Sequence, residues 1–376
     1  MPHACIGVFG AWVGEYLSPR YSVYRPAGRL REASLEPMSC WPLDEGSPEL
    51  DLGRGHRLSC PPHHGRSGWN ERGSELDPSV KGSYLSVAMA WWVIPRNLVY
   101  MKSIGVLGLG IIGSLYARHF HTAGVLAGAW NRTPQSTFPM WKSAPEEVAA
   151  TADVVQIVVA DPPAVRGVLE RILPVLGPGK VVVQSSTIDP DSSDEFLKQV
   201  ESRGARYLEA PFTGSKPAAE QRKTVFFLGG DAALMAELDP MLALISAVRC
   251  PIGTNRQACT IKLALNVNAA AQMQALGEAL TMARQSGIPD DTFFSVIARN
   301  VGYSGLTQLK EPKLRAGDFS PQFSIKHMLK DLRLAAGMQA PAAYPLLETV
   351  RDCLGRTADA GHAEEDFSAL IRMLKP

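Results

Sequence analysis

One lysine, Lys262, lies in a segment that is otherwise apolar, small or amide-bearing. The segment, residues 258–272, reads ACTIKLALNVNAAAQ, which is typical of a helix that packs in a core. Asn266 stands four residues after Lys262, so a helix places both side chains on one face, about 6 Å apart along the axis. Such a lysine either extends its ammonium group to water along apolar neighbours, or it is a buried amine that can exchange protons.

A glycine-rich turn precedes this segment by about 150 residues. GLGIIG places Gly108, Gly110 and Gly113 in the G-x-G-x-x-G spacing, after an apolar run and before an amphipathic stretch. The first glycine allows the tight turn, the second lets the backbone approach a pyrophosphate, and the third lets the helix pack close to the strand. We therefore expect this turn to bind a dinucleotide through Gly108, Leu109, Gly110, Ile111, Ile112 and Gly113.

The second apolar run ends in Asn131-Arg132-Thr133, where an NAD enzyme usually has an acidic residue for the ribose 2′-hydroxyl. No carboxylate is present. Arginine can pair with a 2′-phosphate, and Asn131 and Thr133 can add hydrogen bonds. The sequence thus favours NADP over NAD, unless Arg132 is only a solvated loop residue.

The elements that must position these residues follow an alternating pattern. Val- and Ile-rich runs at 103–110, 125–131, 153–160, 180–187, 206–211 and 225–230 alternate with helical stretches, which predicts a parallel sheet covered on both faces. After about residue 255 the sequence indicates helices at 257–286, 289–299, 325–338, 343–357 and 365–374. The fold class is therefore α/β: a Rossmann-type doubly wound sheet at 101–257, then an all-helical domain at 258–376.

The first hundred residues differ from the rest. They are rich in Gly, Pro, Ser and Arg and have no sustained period before residue 84, so we expect residues 1–100 to be disordered or a non-native extension, with Met101 as the natural start. His56, His63, His64 and Cys60 match no zinc pattern, so no metal is expected.

Composition excludes several classes of partner. A net charge of +1 gives no reason to expect nucleic acid, and no apolar run reaches the roughly 18 residues that cross a membrane. The six cysteines have no CxxC spacing, which favours reduced thiols in the cytoplasm.

Five segments in order give the chain from 101 to 376 a resemblance to the β-hydroxyacid dehydrogenase family. They are GLGIIG with NRT, SSTIDP (185–190), EAPFTGSKPAAE (209–220), IKLALN and FSIKHMLKDLRLA (323–335). The family includes 3-hydroxyisobutyrate dehydrogenase and the glyoxylate/succinic semialdehyde reductases. The resemblance implies an NADP-dependent enzyme that interconverts a small β-hydroxy acid and its semialdehyde or keto form by hydride transfer. It also implies a homo-oligomer, a dimer or tetramer, with a small carboxylate as substrate.

The resemblance also assigns roles to residues. Lys262 is the proton donor and acceptor, and Asn266 holds the substrate or the ammonium group. Thr213, Gly214 and Ser215 correspond to the family's substrate motif, where a hydroxyl and backbone amides can hold a carboxylate. Further substrate contacts are expected from Phe323, which is equally compatible with core packing, and from Asp331. Further cofactor contacts are expected from Val159, Ala160, Thr187 and Lys330.

The sequence departs from the family pattern in two places, and two alternative functions remain open. Arg256 and Ala258 stand where the family usually has glycines before the lysine, which leaves the loop geometry open, and three prolines between Arg132 and Asp153 predict a shortened second helix. An imine reductase-like NADPH enzyme shares NRT but typically lacks the lysine. A catalytically silent oligomeric binding scaffold would be expected to have lost Lys262.

Overall fold

The computed structural model describes residues 102–338 and 344–374, which belong to one structural unit. The expectations for residues 1–100, including the group of histidines and one cysteine between 56 and 64, lie outside the described residues. So does Met101.

An eight-stranded sheet occupies the first part of the described chain. Strands β1 to β5 form a parallel array in the order β2-β1-β3-β4-β5. Their short runs of Val, Ile and Leu are almost wholly buried, as expected for strands covered on both faces. The strands are β1 Ile104–Leu107, β2 Leu126–Trp130, β3 Val154–Ile157, β4 Val181–Gln184, β5 Arg206–Glu209, β6 Phe212–Thr213, β7 Thr224–Gly229 and β8 Ser246–Gly253.

Helices cover both faces of this sheet. Tyr116 and Phe120 of α1 pack in one apolar cluster with Leu238 of α6, whereas Val165 of α3 and Phe196 of α4 pack in the other. The doubly wound Rossmann-type arrangement predicted from the sequence is confirmed. The helices are α1 Ile111–Thr122, α2 Pro145–Thr151, α3 Pro162–Ile172, α4 Pro190–Glu201, α5 Lys216–Glu220 and α6 Ala232–Leu242.

The prediction of a wholly parallel sheet is wrong at one place. β5 and β6 run one after the other along the same edge of β7, and both pair with it in antiparallel register. Only the ten residues 214–223 separate β6 from β7, fewer than the dozen or more that a parallel crossover needs. β8, which the sequence analysis missed, then pairs with β7 in parallel.

Proline and aspartate set the starts of several helices. α2, α3 and α4 each have proline in the first turn, where its missing N–H costs nothing. Asp161 and Asp189 cap α3 and α4 by accepting hydrogen bonds from the backbone N–H groups of Ala164 and Ser192, at 2.8 and 2.9 Å. The second helix, α2, has only seven residues, so the predicted shortening is confirmed.

The strands end at Gly253, and the chain beyond is helical. Helix α7 is 31 residues long, and its buried face packs with the later helices around Met273, Leu280 and Leu332. The predicted helices are present, but α9 was missed. No helix in the described ranges is long and apolar enough to cross a membrane. The helices are α7 Asn255–Gln285, α8 Asp290–Ile297, α9 Gly305–Ala316, α10 Ile325–Gly337 and α11 Pro345–Thr357, followed by a short 3-10 helix, Phe367–Met373.

Candidate active site

The glycine turn joins β1 to α1 at the carboxyl edge of the parallel strands. Gly108 has φ 109°, which favours glycine, and a Cβ there would lie 2.1 Å from the carbonyl oxygen of Val158. A Cβ on Gly113 would lie 1.9 Å from the carbonyl oxygen of Gly108. Two of the three glycines are therefore required by the backbone itself.

The same turn leaves room for a dinucleotide. A Cβ built on Gly110 meets no atom within 4 Å, so the start of α1 is open on that side. Ile111 is exposed, Ile112 is half-buried, and Leu109 is buried beneath them. Open backbone N–H groups at a helix N-terminus suit a pyrophosphate, and the residues present thus fit a dinucleotide.

The end of β2 is fixed to this turn. Asn131 Oδ1 accepts a hydrogen bond from the backbone N–H of Leu109 at 3.1 Å, and its Nδ2 donates to the carbonyl of Thr133 at 3.1 Å. Gln135, which sequence reasoning missed, donates to the carbonyl of Leu109 at 3.2 Å. Arg132 is exposed and has no hydrogen bond or ion pair among the described residues, so its guanidinium is free for an anion.

Lys262 lies on the buried face of α7. Its side chain is 8% exposed, and Nζ donates a hydrogen bond to Asn266 Oδ1 at 3.1 Å. Asn266 Nδ2 in turn donates to Asp331 Oδ2 on α10 at 2.5 Å. Because a carboxylate only accepts, this contact fixes the amide so that its oxygen faces the lysine.

Burial of Lys262 lowers the pKa of its amine to about 8, since a charged group loses its hydration there. The carboxylate of Asp331 opposes this shift, and the ammonium group of Lys330 adds to it. An amine with this pKa exists in both protonation states near neutral pH. The arrangement can therefore both donate and accept a proton.

Helix α10 brings Lys330 and Asp331 to the strand ends. Lys330 Nζ donates to the carbonyl of Thr187 at 2.8 Å and lies 2.6 Å from Asp331 Oδ1. Asp331 is 1% exposed and is engaged by Asn266 and Lys330. These contacts favour a supporting role for Asp331 over direct contact with an anionic substrate.

The neighbouring strand ends are also joined. The backbone N–H of Val159 donates to Ser186 Oγ at 2.9 Å, and Ala160 beyond it is exposed. Ser186, one residue before Thr187, was missed because a serine at a strand end carries no distinctive sequence signal. The segments after β3 and β4 thus form one hydrogen-bonded edge.

The predicted substrate motif begins at the last residue of β6 and reaches the start of α5. Thr213 is exposed, Gly214 has φ 130°, and Ser215 is half-buried at the start of α5. No hydrogen bond among the described residues joins these three to the Lys262–Asn266–Asp331 chain. Phe323 packs on Phe367, with ring centroids 6.2 Å apart, as part of the helical core.

The start of α7 differs from the loop that the sequence indicated. Thr254 caps the helix and accepts from Gln257 N–H, while the Gln257 side chain accepts from the Thr254 N–H. Arg256 and Ala258 are consequently helical, and these two positions do not require glycine. Arg256 forms ion pairs with Asp191 and Asp194 at 2.8 and 2.7 Å, which joins α7 to α4.

A dinucleotide turn, a free arginine at the second strand end and a buried lysine define an NAD(P)-dependent oxidoreductase with a Rossmann-type domain. Comparison with known families agrees. Residues 103–260 match the NAD-binding domain of 6-phosphogluconate dehydrogenase, and residues 257–374 match the NAD-binding domain of NADP-dependent 3-hydroxyisobutyrate dehydrogenase.

Individual relatives place the chain more closely. It is 31% identical to glyoxylate/succinic semialdehyde reductase 2, chloroplastic, from Arabidopsis thaliana, over 74% of this chain and 81% of that protein. The solved structure of Mycobacterium tuberculosis 3-hydroxyisobutyrate dehydrogenase with L-serine is 27% identical, covering 73% of this chain and all of that one, with a TM-score of 0.68. The chain belongs to the β-hydroxyacid dehydrogenase family, and it is an oxidoreductase of the NAD(P)-dependent hydroxyacid dehydrogenase type.

A further group of relatives is named as nuclear factors and not as dehydrogenases or reductases. The chain is 28% identical to the cytokine-like nuclear factor N-PAC of Mus musculus, over 72% of this chain. It spans only 50% of that protein's length.

Proposed function

We propose that this protein interconverts a small β-hydroxy acid and its semialdehyde or keto form with NADP, and that Lys262 transfers the proton. The observation that carries the proposal is the buried amine of Lys262, oriented by Asn266 and with its pKa lowered to about 8. When bound, the nicotinamide ring supplies the hydride in reduction and accepts it in oxidation.

The proton step belongs to this chain's own residues. In reduction, the Lys262 ammonium group donates a proton to the substrate carbonyl oxygen as negative charge develops there. In oxidation, the neutral amine accepts the proton of the substrate hydroxyl. Asn266 accepts a hydrogen bond from Nζ in both states, so the amine keeps its direction while its charge changes.

The preference for NADP is supported by the end of β2. No carboxylate stands there to bind a ribose 2′-hydroxyl, and Arg132 is exposed and free of partners within the described residues. We assign the cofactor contacts to the glycine turn, to Asn131, Arg132 and Thr133, and to the strand ends. Lys330 approaches those strand ends from α10.

The substrate class is supported by the turn at Thr213. Its exposed hydroxyl and the amides of Gly214 and Ser215 provide donors for a carboxylate. Relatives named as glyoxylate/succinic semialdehyde reductase and 3-hydroxyisobutyrate dehydrogenase act on small acids of this kind, which narrows the set to test.

The experiment is a substrate panel with NADPH: glyoxylate, succinic semialdehyde, methylmalonate semialdehyde, tartronate semialdehyde and cyclic imines. We expect turnover with one of the carboxylate aldehydes, and a fall of at least 10³-fold in kcat for Lys262→Ala with nearly unchanged cofactor affinity. Lys198→Ala, an exposed lysine on α4, is the control and keeps the wild-type rate. Retention of a tenth of the wild-type rate by Lys262→Ala contradicts the proposed role.

The N-PAC relatives make a catalytically silent binding scaffold the second candidate, because they are named as nuclear factors. The presence of Lys262 with Asn266 opposes it, and the absence of turnover on the whole panel would support it. Reduction of only the cyclic imines would instead favour the imine reductase alternative.

We also propose a cytoplasmic homo-oligomer. The oligomer is supported by apolar side chains that are exposed on α7 and α8, such as Met282 and Val296. The cytoplasm is supported by the three cysteines of the described ranges, which are free thiols. Sedimentation of the purified protein tests the first part, and a monomer contradicts it. Cell fractionation tests the second, with a chloroplastic relative as the competing outcome.

A further inference from the structure

A buried carboxyl group without a cationic partner lies at the end of β5. Glu209 is 0% exposed, and no ion pair joins it within the described residues. Its Oε1 accepts a hydrogen bond from Gln184 Nε2 at 2.8 Å, and its Oε2 accepts from Ser193 Oγ at 2.6 Å and from the Tyr207 hydroxyl at 2.7 Å. A buried carboxyl with several aligned donors is strongly held in one position.

Gln184 connects Glu209 to segment 185–187, where cofactor contacts are expected. Its Oε1 accepts from the backbone N–H of Ser186 at 2.6 Å, and its Nε2 also donates to the Ser186 carbonyl at 2.8 Å. The Ser186 hydroxyl then accepts from Val159 N–H. Glu209 is thus two hydrogen bonds away from the backbone that leads into Thr187.

The same carboxyl also reaches helix α7. Cys259, which is buried, hydrogen-bonds to Glu209 and packs in the cluster beneath the sheet. Cys259 and Lys262 are three residues apart, so they lie on one face of α7 in successive turns. Ser193, on α4, contacts both Glu209 and Cys259.

We propose that Glu209 is a positioning residue, which sets the strand-end segment 185–187 and the first turns of α7 relative to each other. This inference rests on the proposed function, because the two elements carry the expected cofactor edge and the proton-transfer lysine. Without the carboxyl, segment 185–187 and helix α7 keep their folds, but their positions relative to each other are no longer fixed. Misplacement by an ångström at a reacting centre costs about 10²-fold in rate.

The titration of Glu209 gives this role a distinctive signature. Burial raises the pKa of its carboxyl to about 7, although hydrogen bonds from Ser193, Tyr207, Gln184 and Cys259 oppose the shift. The other titratable groups beside it are Tyr207 on its own strand and Cys259 on α7, with Asp189 near the latter. Burial raises the pKa of both Tyr207 and Cys259, so neither changes charge near pH 7.

The test compares Glu209→Gln with Glu209→Asp and with Ser246→Ala. Ser246 is also buried, donates to the Leu242 carbonyl, and lies away from the site. We expect Glu209→Gln to lower kcat about 10- to 100-fold with KM and NADPH affinity within about threefold, and to remove a limb of the kcat–pH profile near pH 7. Glu209→Asp should restore that limb in part, and Ser246→Ala should leave kcat unchanged.

A second readout needs no turnover. The folded pKa of about 7 lies above the ordinary 4.5, so the wild type loses stability as pH rises between these values, and Glu209→Gln does not. The difference in Tm between variant and wild type should therefore shift in the variant's favour from pH 5 to pH 8. A flat difference, or wild-type kcat with an unchanged profile in Glu209→Gln, overturns the inference. A wild type that turns over no substrate refutes the proposed function and leaves the Tm comparison to decide about the carboxyl.

Discussion

At the scale of single residues, the proposed chemistry depends on the surroundings of one amine. A lysine with its head in water would keep its proton far above neutral pH, and it could not act as a base in oxidation. The contacts of Lys262 with Asn266, and of Asn266 with Asp331, replace part of the lost hydration and leave the amine in one orientation. The first of the two interpretations of this lysine, a snorkelling surface residue, is wrong because the side chain is buried.

The buried amine of Lys262 is predicted to lower the stability of the folded protein while it serves the proposed proton transfer. The folded pKa of Lys262, about 8, lies below the ordinary 10.5, so the cost of its charge is fully present below pH 8 and disappears as pH rises from 8 towards 10.5. We expect Lys262→Met to gain stability relative to wild type at pH 7, and this gain to shrink between pH 8 and pH 10. Chemical denaturation at several pH values measures it. A difference that does not vary with pH means that the amine is charged and solvated in the folded protein.

The free guanidinium of Arg132 predicts the choice of cofactor. Arg132→Asp places a negative charge where a 2′-phosphate is expected, so NADPH binding should weaken by about 100-fold while NADH binding changes little. The control is Arg203→Asp, an exposed arginine after α4 at the opposite edge of the sheet. Dissociation constants from cofactor fluorescence decide the matter, and equal losses for both cofactors contradict the preference.

At the scale of elements, the sequence was most informative where backbone geometry leaves little choice. The glycine turn was predicted because its spacing reflects contacts with Val158 and Gly108 that no Cβ can make. α7 starts at Asn255, two residues before the predicted start, because Thr254 and Gln257 form a capping box where the family pattern has a glycine-containing loop. Local sequence signals therefore predicted the glycine turn correctly but did not predict the start of α7.

The close approach at Gly113 predicts the effect of one methyl group. Gly113→Ala sets a Cβ against the Gly108 carbonyl, so α1 must move away from β1, at a cost of about 2 kcal/mol or more and with loss of cofactor binding. Gly167→Ala, in α3 with no atom within 4 Å of the added Cβ, should be stabilising by up to about 1 kcal/mol. Thermal unfolding with and without NADPH measures both. Similar behaviour of the two variants would show that the turn tolerates a side chain.

Long-range contacts account for what the sequence did not reveal. β5 reads RYLE and has a charged residue at each end, and nothing local tells that Arg206 is exposed while Glu209 is buried. Asn266 and Asp331 meet although 65 residues separate them along the chain. β6 and β8 were missed because the first has two residues and the second is an edge strand with exposed positions. Tertiary pairing decides such features, and one sequence does not display it.

At the scale of the whole molecule, the family match begins at residue 103 and ends at residue 374. A protein that starts at Met101 should therefore keep the Tm, the NADPH affinity and the turnover of the full chain within experimental error. A control that starts at Leu109 removes β1 and should fail to fold. If the chain from Met101 loses activity, residues 1–100 contribute to the enzyme.

Lys330 and Asp331 are neighbours on α10, yet one contacts the end of β4 and the other contacts α7. Consecutive residues on a helix point about 100° apart, so these two contacts fix the angle of α10 about its own axis. A twist of this helix would disturb the Thr187 segment and the Asn266–Lys262 pair in a single movement. Substitutions on the far surface of α10 that turn it can therefore alter turnover without touching either reactant.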